Sequence, residues 1–239
     1  MAELGGPATF EVSEALLPAA ALQKLMTWLS PSFPVGGYTY SHGLEWAIDD
    51  GSVTSPDALA AWLAAILAHG AGRSDAIVFC HAWRARGAAL REVAGLAAAF
   101  QPSRERHLES TAQGNAFMAA VRAAWPKPEL DEAAAALAGL ALPYPVAVAA
   151  AAASHDIPLA PALTAMLTGF VANIVSAGVR AIPIGQSAGQ KIIASLAPVV
   201  LEIASAAQNE TLNDLGGAAL RADIASMKHE TQYTRLFRS

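Results

Sequence analysis

Residues 55–67 read Ser-Pro-Asp-Ala-Leu-Ala-Ala-Trp-Leu-Ala-Ala-Ile-Leu, and this stretch carries the signals of a helix start. Ser55 is suited to cap the first turn, and Pro56 is tolerated at the first helical position because no N–H is needed there. Asp57 suits the positive end of the helix dipole. Leucines at positions 59, 63 and 67 then recur at the helical period. The stretch therefore predicts a helix that begins at Pro56 and buries one face in a core.

The same pattern extends over most of the chain, while strand signals are nearly absent. Residues 22–29 carry apolar side chains at a helical period, and a helix there must stop near Pro31 and Pro34. The high alanine content also favours helices. Further helices are predicted over residues 75–86, 88–100, 104–124, 130–140, 145–153, 157–179 and 187–206.

Neither an internal repeat nor a low-complexity linker divides the sequence. We therefore predict one all-α domain, a helical bundle of about eight to ten helices, over residues 21–226. Residues 1–20 are predicted to form a poorly ordered N-terminal extension. Residues 227–239 are predicted to form a C-terminal tail that docks on a partner.

The composition is unusually apolar, since 54% of the 239 residues are hydrophobic and only 15% are charged. Such a chain must expose apolar surface, which indicates either large contacts with partner proteins or a membrane. From Ala133 to Val179 the only formal charge is Asp156. Prolines at 143, 145, 158 and 161 interrupt this run, and alanine is only weakly apolar. We therefore expect no membrane span, but a helix buried on all sides within an assembly.

Several classes of protein are excluded or disfavoured by simple counts. Cys80 is the single cysteine, so no disulfide framework forms, and a reducing compartment such as the cytoplasm fits. The formal net charge of −5 does not indicate a basic surface that would bind nucleic acid. The six histidines include no pair at a helical spacing of three or four, so no metal site is predicted. A phosphate-binding Gly-x-x-x-x-Gly-Lys-Ser/Thr loop is missing from the sequence as well.

An alternative interpretation is a serine hydrolase. Residues 185–189 read Gly-Gln-Ser-Ala-Gly, a formal nucleophile elbow around Ser187, and Asp214 and His229 follow in hydrolase order. The elbow requires a buried strand before it, whereas the preceding residues are few and broken by Pro183. The favoured interpretation is a glycine-rich turn that opens a helix, with Ser187 as its N-cap.

A loop over residues 30–45 is dense in proline, glycine and aromatic residues and is longer than an ordinary connector. Aromatic side chains on a constrained loop are typical of interface hot spots, although core packing explains them too. The candidate partner-binding residues here are Ser32, Phe33, Pro34, Gly36, Gly37, Tyr38, Tyr40, Ser41, His42 and Glu45.

A second segment, residues 173–190, ends one helix and opens the next. Arg180 falls in the last turn, where a cation suits the dipole. Gln186 and Gln190 lie four residues apart and would share a helix face. That face could be a core contact or a polar recognition strip, and the spacing does not decide between them.

The third segment is the C-terminal tail, which combines apolar anchors with charged neighbours. Such a peptide gains by ordering on a partner. Its candidate partner-binding residues are Lys228, His229, Glu230, Tyr233, Arg235, Leu236, Phe237 and Arg238.

Together, the loop from Leu29 to Glu45, the block from Arg180 to Gln190 and the block from Lys228 to Ser239 closely resemble the urease accessory protein UreF family. The resemblance covers roughly residues 25–239 and is most specific in those blocks. It implies a cytosolic, all-α, dimeric protein without catalytic activity, which has no cofactor of its own.

The resemblance also implies partners. Proteins of this family assemble with the accessory protein UreD, also called UreH, and with the GTPase UreG, which carries the phosphate-binding loop. The complex delivers nickel to apo-urease. By the same resemblance, the tail and the N-terminal helix are expected to contact UreD. The loop and the Gln186/Gln190 strip are expected to form dimer or GTPase surfaces.

Overall fold

The computed structural model describes residues 17–239, so residues 1–16 of the predicted N-terminal extension lie outside the described residues. Eleven α-helices and two short 3-10 turns occur in this part of the chain, and it contains no strand. The all-α prediction is confirmed. The helices are α1 (Ala19–Trp28), α2 (Leu44–Asp49), α3 (Pro56–His69), α4 (Ala71–Arg84), α5 (Gly87–Ala99), α6 (Arg104–Ala124), α7 (Pro128–Ala136), α8 (Tyr144–Ser154), α9 (Leu159–Ala181), α10 (Gln186–Ala206) and α11 (Leu220–His229).

Local capping sets the helix starts that the sequence predicts best. The hydroxyl of Ser55 accepts the N–H of Ala58 at 3.2 Å, so α3 begins at Pro56 as predicted. Ser103 caps α6 in the same way, since its hydroxyl accepts the N–H of Arg106 at 3.1 Å. Each cap satisfies a main-chain donor that the helix itself leaves unpaired.

Helix α8 forms the centre of the bundle. Every residue from Pro145 to Ser154 is buried, and the helix packs on α4, α6, α7 and α9. Small residues allow these close approaches: a Cβ added at Gly114 of α6 would lie 2.0 Å from the carbonyl oxygen of Leu142. Residues 145–154 of the charge-poor run therefore form a helix buried on all sides, whereas α9 in the same run has exposed residues such as Thr168 and Ser176. Burial within an assembly stays a prediction.

Three segments are long and apolar enough to cross a membrane by length and composition, namely Pro56–Arg84, α9 and α10. The first of them is two helices, α3 and α4, which meet at Gly70. In the most apolar 18-residue stretch of α9, half of the residues are buried within the chain, where the helix packs on α4, α8 and α10. The absence of a membrane span stays a prediction based on the proline positions.

Several details differ from the predictions. Ser187 is not an N-cap, because Gly185 takes that position and α10 begins at Gln186. The six-residue helix α2 and the helix α11 were not predicted. Because α11 extends to His229, the segment called the tail, residues 227–239, begins inside the last turn of this helix.

Candidate interaction site

The loop and the tail lie side by side, joined through their main chains. The N–H of Arg238 donates to the carbonyl oxygen of Thr39 at 2.7 Å. The N–H of Ser41 donates to the main-chain oxygen of Ser239 at 2.7 Å, and the hydroxyl of Ser41 donates to the same oxygen. Two segments separated by almost the whole sequence thus form one continuous surface.

Glu45, in the first turn of α2, holds the tail through its carboxylate. It accepts the N–H of Leu236 at 2.5 Å and the N–H of Phe237 at 2.9 Å. The Nε2 atom of His229 lies 3.0 Å from the same carboxylate. One loop side chain therefore satisfies main-chain donors of the tail and a side chain at the end of α11.

His229 is fully buried between two carboxylates. Its Nδ1 lies 2.6 Å from Oε2 of Glu105, opposite the contact with Glu45. Because carboxylates only accept hydrogen bonds, this arrangement is satisfied when both ring nitrogens carry a proton. Arg235 also donates to Glu105, at 2.7 Å. Glu105 therefore contacts a side chain at the end of α11 and a side chain of the tail.

A second ionic cluster, centred on Glu109, lies beside the first. Oε1 of Glu109 lies 2.9 Å from Nδ1 of His42, and the same carboxylate pairs with Arg106 and accepts the hydroxyl of Ser239 at 2.6 Å. Burial acts to raise the pKa of Glu109, but Arg106 and His42 hold it well below its usual range. Burial, and then Arg106, lower the pKa of His42. Glu109 thus keeps its charge in the interior because its neighbours satisfy it.

The backbone turns sharply where the loop enters α2. His42 has a φ of 59° and Gly43 a φ of 73°, so two successive residues adopt the left-handed conformation. A Cβ added at Gly43 would lie 2.6 Å from the main-chain nitrogen of Ser226 in α11. Glycine is therefore required here for both its conformation and its size.

Phe237 anchors the tail in the core. Its side chain is buried, and the Arg180 guanidinium lies over its ring at 4.6 Å from the centroid. The second segment thus reaches the tail through Arg180.

Gln186 and Gln190 share the exposed first turns of α10, and neither side chain contributes a hydrogen bond within residues 17–239.

The predicted site residues divide between the interior and the surface. Buried ones are Phe33, Tyr40, Ser41, His42, His229 and Phe237, and partly buried ones are Gly36, Gly37, Glu45 and Glu230. Exposed ones are Ser32, Pro34, Tyr38, Arg180, Gln186, Gln190, Lys228, Tyr233, Arg235, Leu236 and Arg238. The buried group fixes the loop and the tail, and the exposed group is available for contacts with other molecules.

Helix α6 supplies a part of the site that was not predicted from the sequence. Glu105 and Glu109 lie four residues apart on the face that receives the tail, and Arg106 lies beside them. Both carboxylates and this guanidinium are less than a tenth exposed. The sequence shows Glu105, Glu109 and Gln113 as a polar stripe at helical spacing. Such stripes ordinarily face solvent, so this pattern did not indicate a buried cluster.

The geometry does not support a serine hydrolase. Ser187 follows the end of α9 and a short bend instead of a strand, so the strained elbow is missing. Both ring nitrogens of His229 are occupied by glutamates. The carboxylate of Asp214 accepts the N–H and the hydroxyl of Thr211, each at 2.7 Å. None of these groups is arranged to activate a nucleophile.

Comparison with known proteins matches this chain to one family. Residues 53–197 match the UreF family model. The urease accessory protein UreF of Rhodopseudomonas palustris strain BisB5 is 53% identical over 225 residues, which cover 92% of each chain. The UreF of Xanthobacter autotrophicus is 53% identical over 238 residues, which cover 98% of this chain and 97% of the relative. The UreF of Bradyrhizobium diazoefficiens is 52% identical over 225 residues, which cover 92% of this chain and 93% of the relative.

Proposed function

This chain belongs to the UreF family of urease accessory proteins, and we propose that it is a scaffold that couples GTP hydrolysis by a partner to nickel delivery into urease. In this proposal it binds UreD (UreH), recruits the GTPase UreG and presents the complex to apo-urease in the cytoplasm. It acts as a homodimer and has no cofactor of its own, while nickel and GTP are handled by the partner proteins.

The observation that carries the proposal is the platform formed by the loop and the tail. Buried ion pairs and main-chain hydrogen bonds hold both segments rigidly against α6 and α11. On this base Tyr38 is 62% exposed, Leu236 is 67% exposed and Tyr233 is fully exposed. Exposed aromatic and aliphatic side chains on an anchored backbone are typical of protein interfaces.

A second apolar surface lies on α11. Leu220, Ile224 and Met227 are spaced by four and three residues, so they share a helix face, and each is about half exposed or more. On α1, Leu22 and Met26 are exposed at the same spacing. A protein that worked alone would gain nothing from these surfaces. We assign α1, α11 and the tail to UreD, and the loop with the Gln186/Gln190 strip to the GTPase or to the second protomer.

The absence of a phosphate-binding loop from the sequence supports the division of labour. GTP binding belongs to the partner, and this chain contributes surfaces that order the complex. The assignment does not require a nickel ligand on this chain.

Activation of apo-urease in vitro tests the proposal directly. Apo-urease, UreD, UreG, GTP, bicarbonate and a limiting amount of nickel are incubated with and without this chain, and urease activity is measured. We expect activation to require both this chain and hydrolysable GTP. Equal activation without the chain would contradict the proposal, and so would equal activation with a non-hydrolysable GTP analogue.

A further inference from the structure

A cavity of about 160 Å³ lies beneath the loop, between α4, α6 and α9. Its lining includes Asp75 of α4, Glu109 of α6, and Met166 and Phe170 of α9. The exposed Tyr38 and Ser176 are also part of the lining, so the cavity opens between the loop and α9. An engineered cavity of roughly 150 Å³ holds a six-carbon ring, so a small organic molecule fits in this space.

The carboxylate of Asp75 is the unusual group in this cavity. Within residues 17–239 its side chain has neither a hydrogen bond nor an ion pair, unlike the carboxylates of Glu45, Glu105 and Glu109. Burial raises the pKa of Asp75 to about 6, and Glu109 contributes to the rise while Arg106 opposes it. At neutral pH the cavity therefore contains an ionised carboxylate without a partner.

The other charges of the lining do not compensate Asp75. Arg106 is paired with Glu109, so its charge is already neutralised. His42 is neutral near pH 7, since burial lowers the pKa of its ring. Among residues 17–239, no further charged residue lines the cavity. The lining therefore carries a net charge of about −1 at neutral pH, which favours a cation over an anion or a neutral solute.

Two further features suit a cation that carries N–H donors. Nε2 of His42 is buried and has no hydrogen-bond partner within residues 17–239, although the ring lines the cavity. Nδ1 of His42 lies 2.9 Å from Oε1 of Glu109 and 2.8 Å from a guanidinium nitrogen of Arg106. In the neutral tautomer that donates from Nδ1 to Glu109, Nε2 keeps an unshared electron pair, which can accept a hydrogen bond. In addition, Trp28, Tyr144 and Phe170 line the cavity, and aromatic rings attract cations through their faces.

A metal ion fits this lining less well. A site built from residues 17–239 would need three or more histidine, cysteine or acidic side chains in one group, and the described chain contains no such group. The apolar wall formed by Met166 and Phe170 also suits a carbon chain more than a hydrated ion.

We propose that the cavity binds a small protonated amine. Its ammonium group donates to the carboxylate of Asp75 and to Nε2 of His42, and its alkyl part lies against Met166 and Phe170. Binding would pair this partly buried carboxylate, so the ligand stabilises the folded chain.

Calorimetric titration of the full chain tests this proposal without any partner protein, so the result is independent of the proposed scaffold role. The probe is n-butylammonium chloride at pH 7.5, with sodium chloride at equal ionic strength as one reference and n-butanol as the uncharged analogue. We expect saturable binding of about one butylammonium per chain. We also expect no heat from sodium chloride, and binding of butanol at least about tenfold weaker.

Two further measurements identify Asp75 as the binding group. Asp75→Asn keeps the size of the side chain and should weaken butylammonium binding about ten- to a hundredfold, while Asp49→Asn on the exposed end of α2 should leave it unchanged. Lowering the pH of the unsubstituted chain to 5.5 should weaken binding about fourfold, since Asp75 becomes protonated while Glu109 and Arg106 stay charged. Absence of saturable binding, equal binding of butanol, or undiminished binding to Asp75→Asn would overturn the proposal.

Discussion

The carboxylate of Glu45 accepts the main-chain N–H of Phe237 at 2.9 Å, although the two residues lie 192 positions apart in the sequence. The contact joins the loop to the tail. The side chain of Phe237 is buried beneath the Arg180 guanidinium, so this end of the tail packs in the core. The surface proposed for partner binding is therefore an ordered part of the folded domain. Its backbone is held in place by contacts within the chain.

Glu45→Gln should loosen the tail without unfolding the bundle. The substitution removes the charge and places an amide N–H₂ where a carboxylate oxygen accepts donors from the tail. A hydrogen bond to a charged group contributes about 1.5–3 kcal/mol, so protection of the amides of Leu236 and Phe237 from hydrogen exchange should fall about tenfold or more. Hydrogen-exchange mass spectrometry of the C-terminal peptide measures this. Glu92→Gln, on the exposed face of α5, is the matched control, and equal exchange in both variants would contradict the assignment.

Arg106→Met should destabilise the chain strongly, because it leaves the buried Glu109 without its main cationic partner. Breaking a buried ion pair from one side costs about 3–5 kcal/mol. The midpoint of urea denaturation at pH 7.5 should fall accordingly. The double variant Arg106→Met/Glu109→Gln should recover part of the loss, since no buried charge is left unpaired. A double variant no more stable than the single one would show that the two side chains act independently.

Asp75→Asn should stabilise the chain at pH 7.5. The folded-state pKa of about 6 exceeds the ordinary value of 3.8, so ionisation of Asp75 opposes folding. Below about pH 3.8 both states are protonated and this cost is absent. It grows as the pH rises and is complete above about 6, where it reaches about 1–3 kcal/mol.

Thermal unfolding of the Asp75→Asn variant at pH 5 and pH 7.5 measures this cost. The variant should exceed the unsubstituted chain by more at pH 7.5 than at pH 5. Glu109 provides an internal contrast, because its lowered pKa adds stability that is lost only as the pH falls below about 4.3. A variant that gains nothing at pH 7.5 would show that Asp75 is solvated in the folded chain.

Local signals predict helix boundaries well, and tertiary contacts explain where they fail. The predicted bounds of α6 agree with the structure because Ser103 caps its first turn. Helix α11 was not predicted, although Leu220, Ile224 and Met227 follow a helical spacing in the sequence; the side chains it buries are Ala225, Ser226 and His229, which give a weak apolar signal. The unusual composition of the loop and the tail marked both as candidate surfaces. Their joining by Glu45 depends on a contact across 192 positions, which no local pattern contains.

The ionic part of the site could not be predicted for a related reason. Glu105 and Glu109 follow the spacing of an ordinary solvent-exposed helix face, and only the return of the tail buries them. Burial of a carboxylate is favourable only when cations and donors arrive from elsewhere in the fold. The partners here, His42, His229 and Arg235, come from both ends of the chain.

Tyr233→Ala/Leu236→Ala should weaken co-purification with UreD without changing the fold. Both side chains are exposed, so their removal costs the isolated chain little stability. If they anchor the partner, the affinity should fall about tenfold or more. Thr234→Ala, an exposed neighbour in the same tail, is the control. Deletion of residues 228–239 is a harsher test, because it also removes His229 and Phe237 from the core. Unchanged co-purification of the double variant would assign UreD binding to other surfaces.

Tyr38→Ala should reduce recruitment of UreG while the helical circular dichroism stays unchanged. The ring is 62% exposed on a loop that Asn173 fixes by donating to the carbonyl oxygen of Gly37 at 2.9 Å. Its removal therefore deletes an exposed anchor and leaves the base of the loop intact.

Phe33 in the same loop is buried against Phe117 and Trp125, so Phe33→Ala should instead lower the free energy of unfolding by about 3–5 kcal/mol. Pull-down of UreG by the chain bound to UreD, together with urea denaturation of each variant, separates the two roles. A loss of helicity in Tyr38→Ala would show that Tyr38 supports the fold. Undiminished recruitment of UreG would place the GTPase surface elsewhere, and the Gln186/Gln190 strip would be the next candidate.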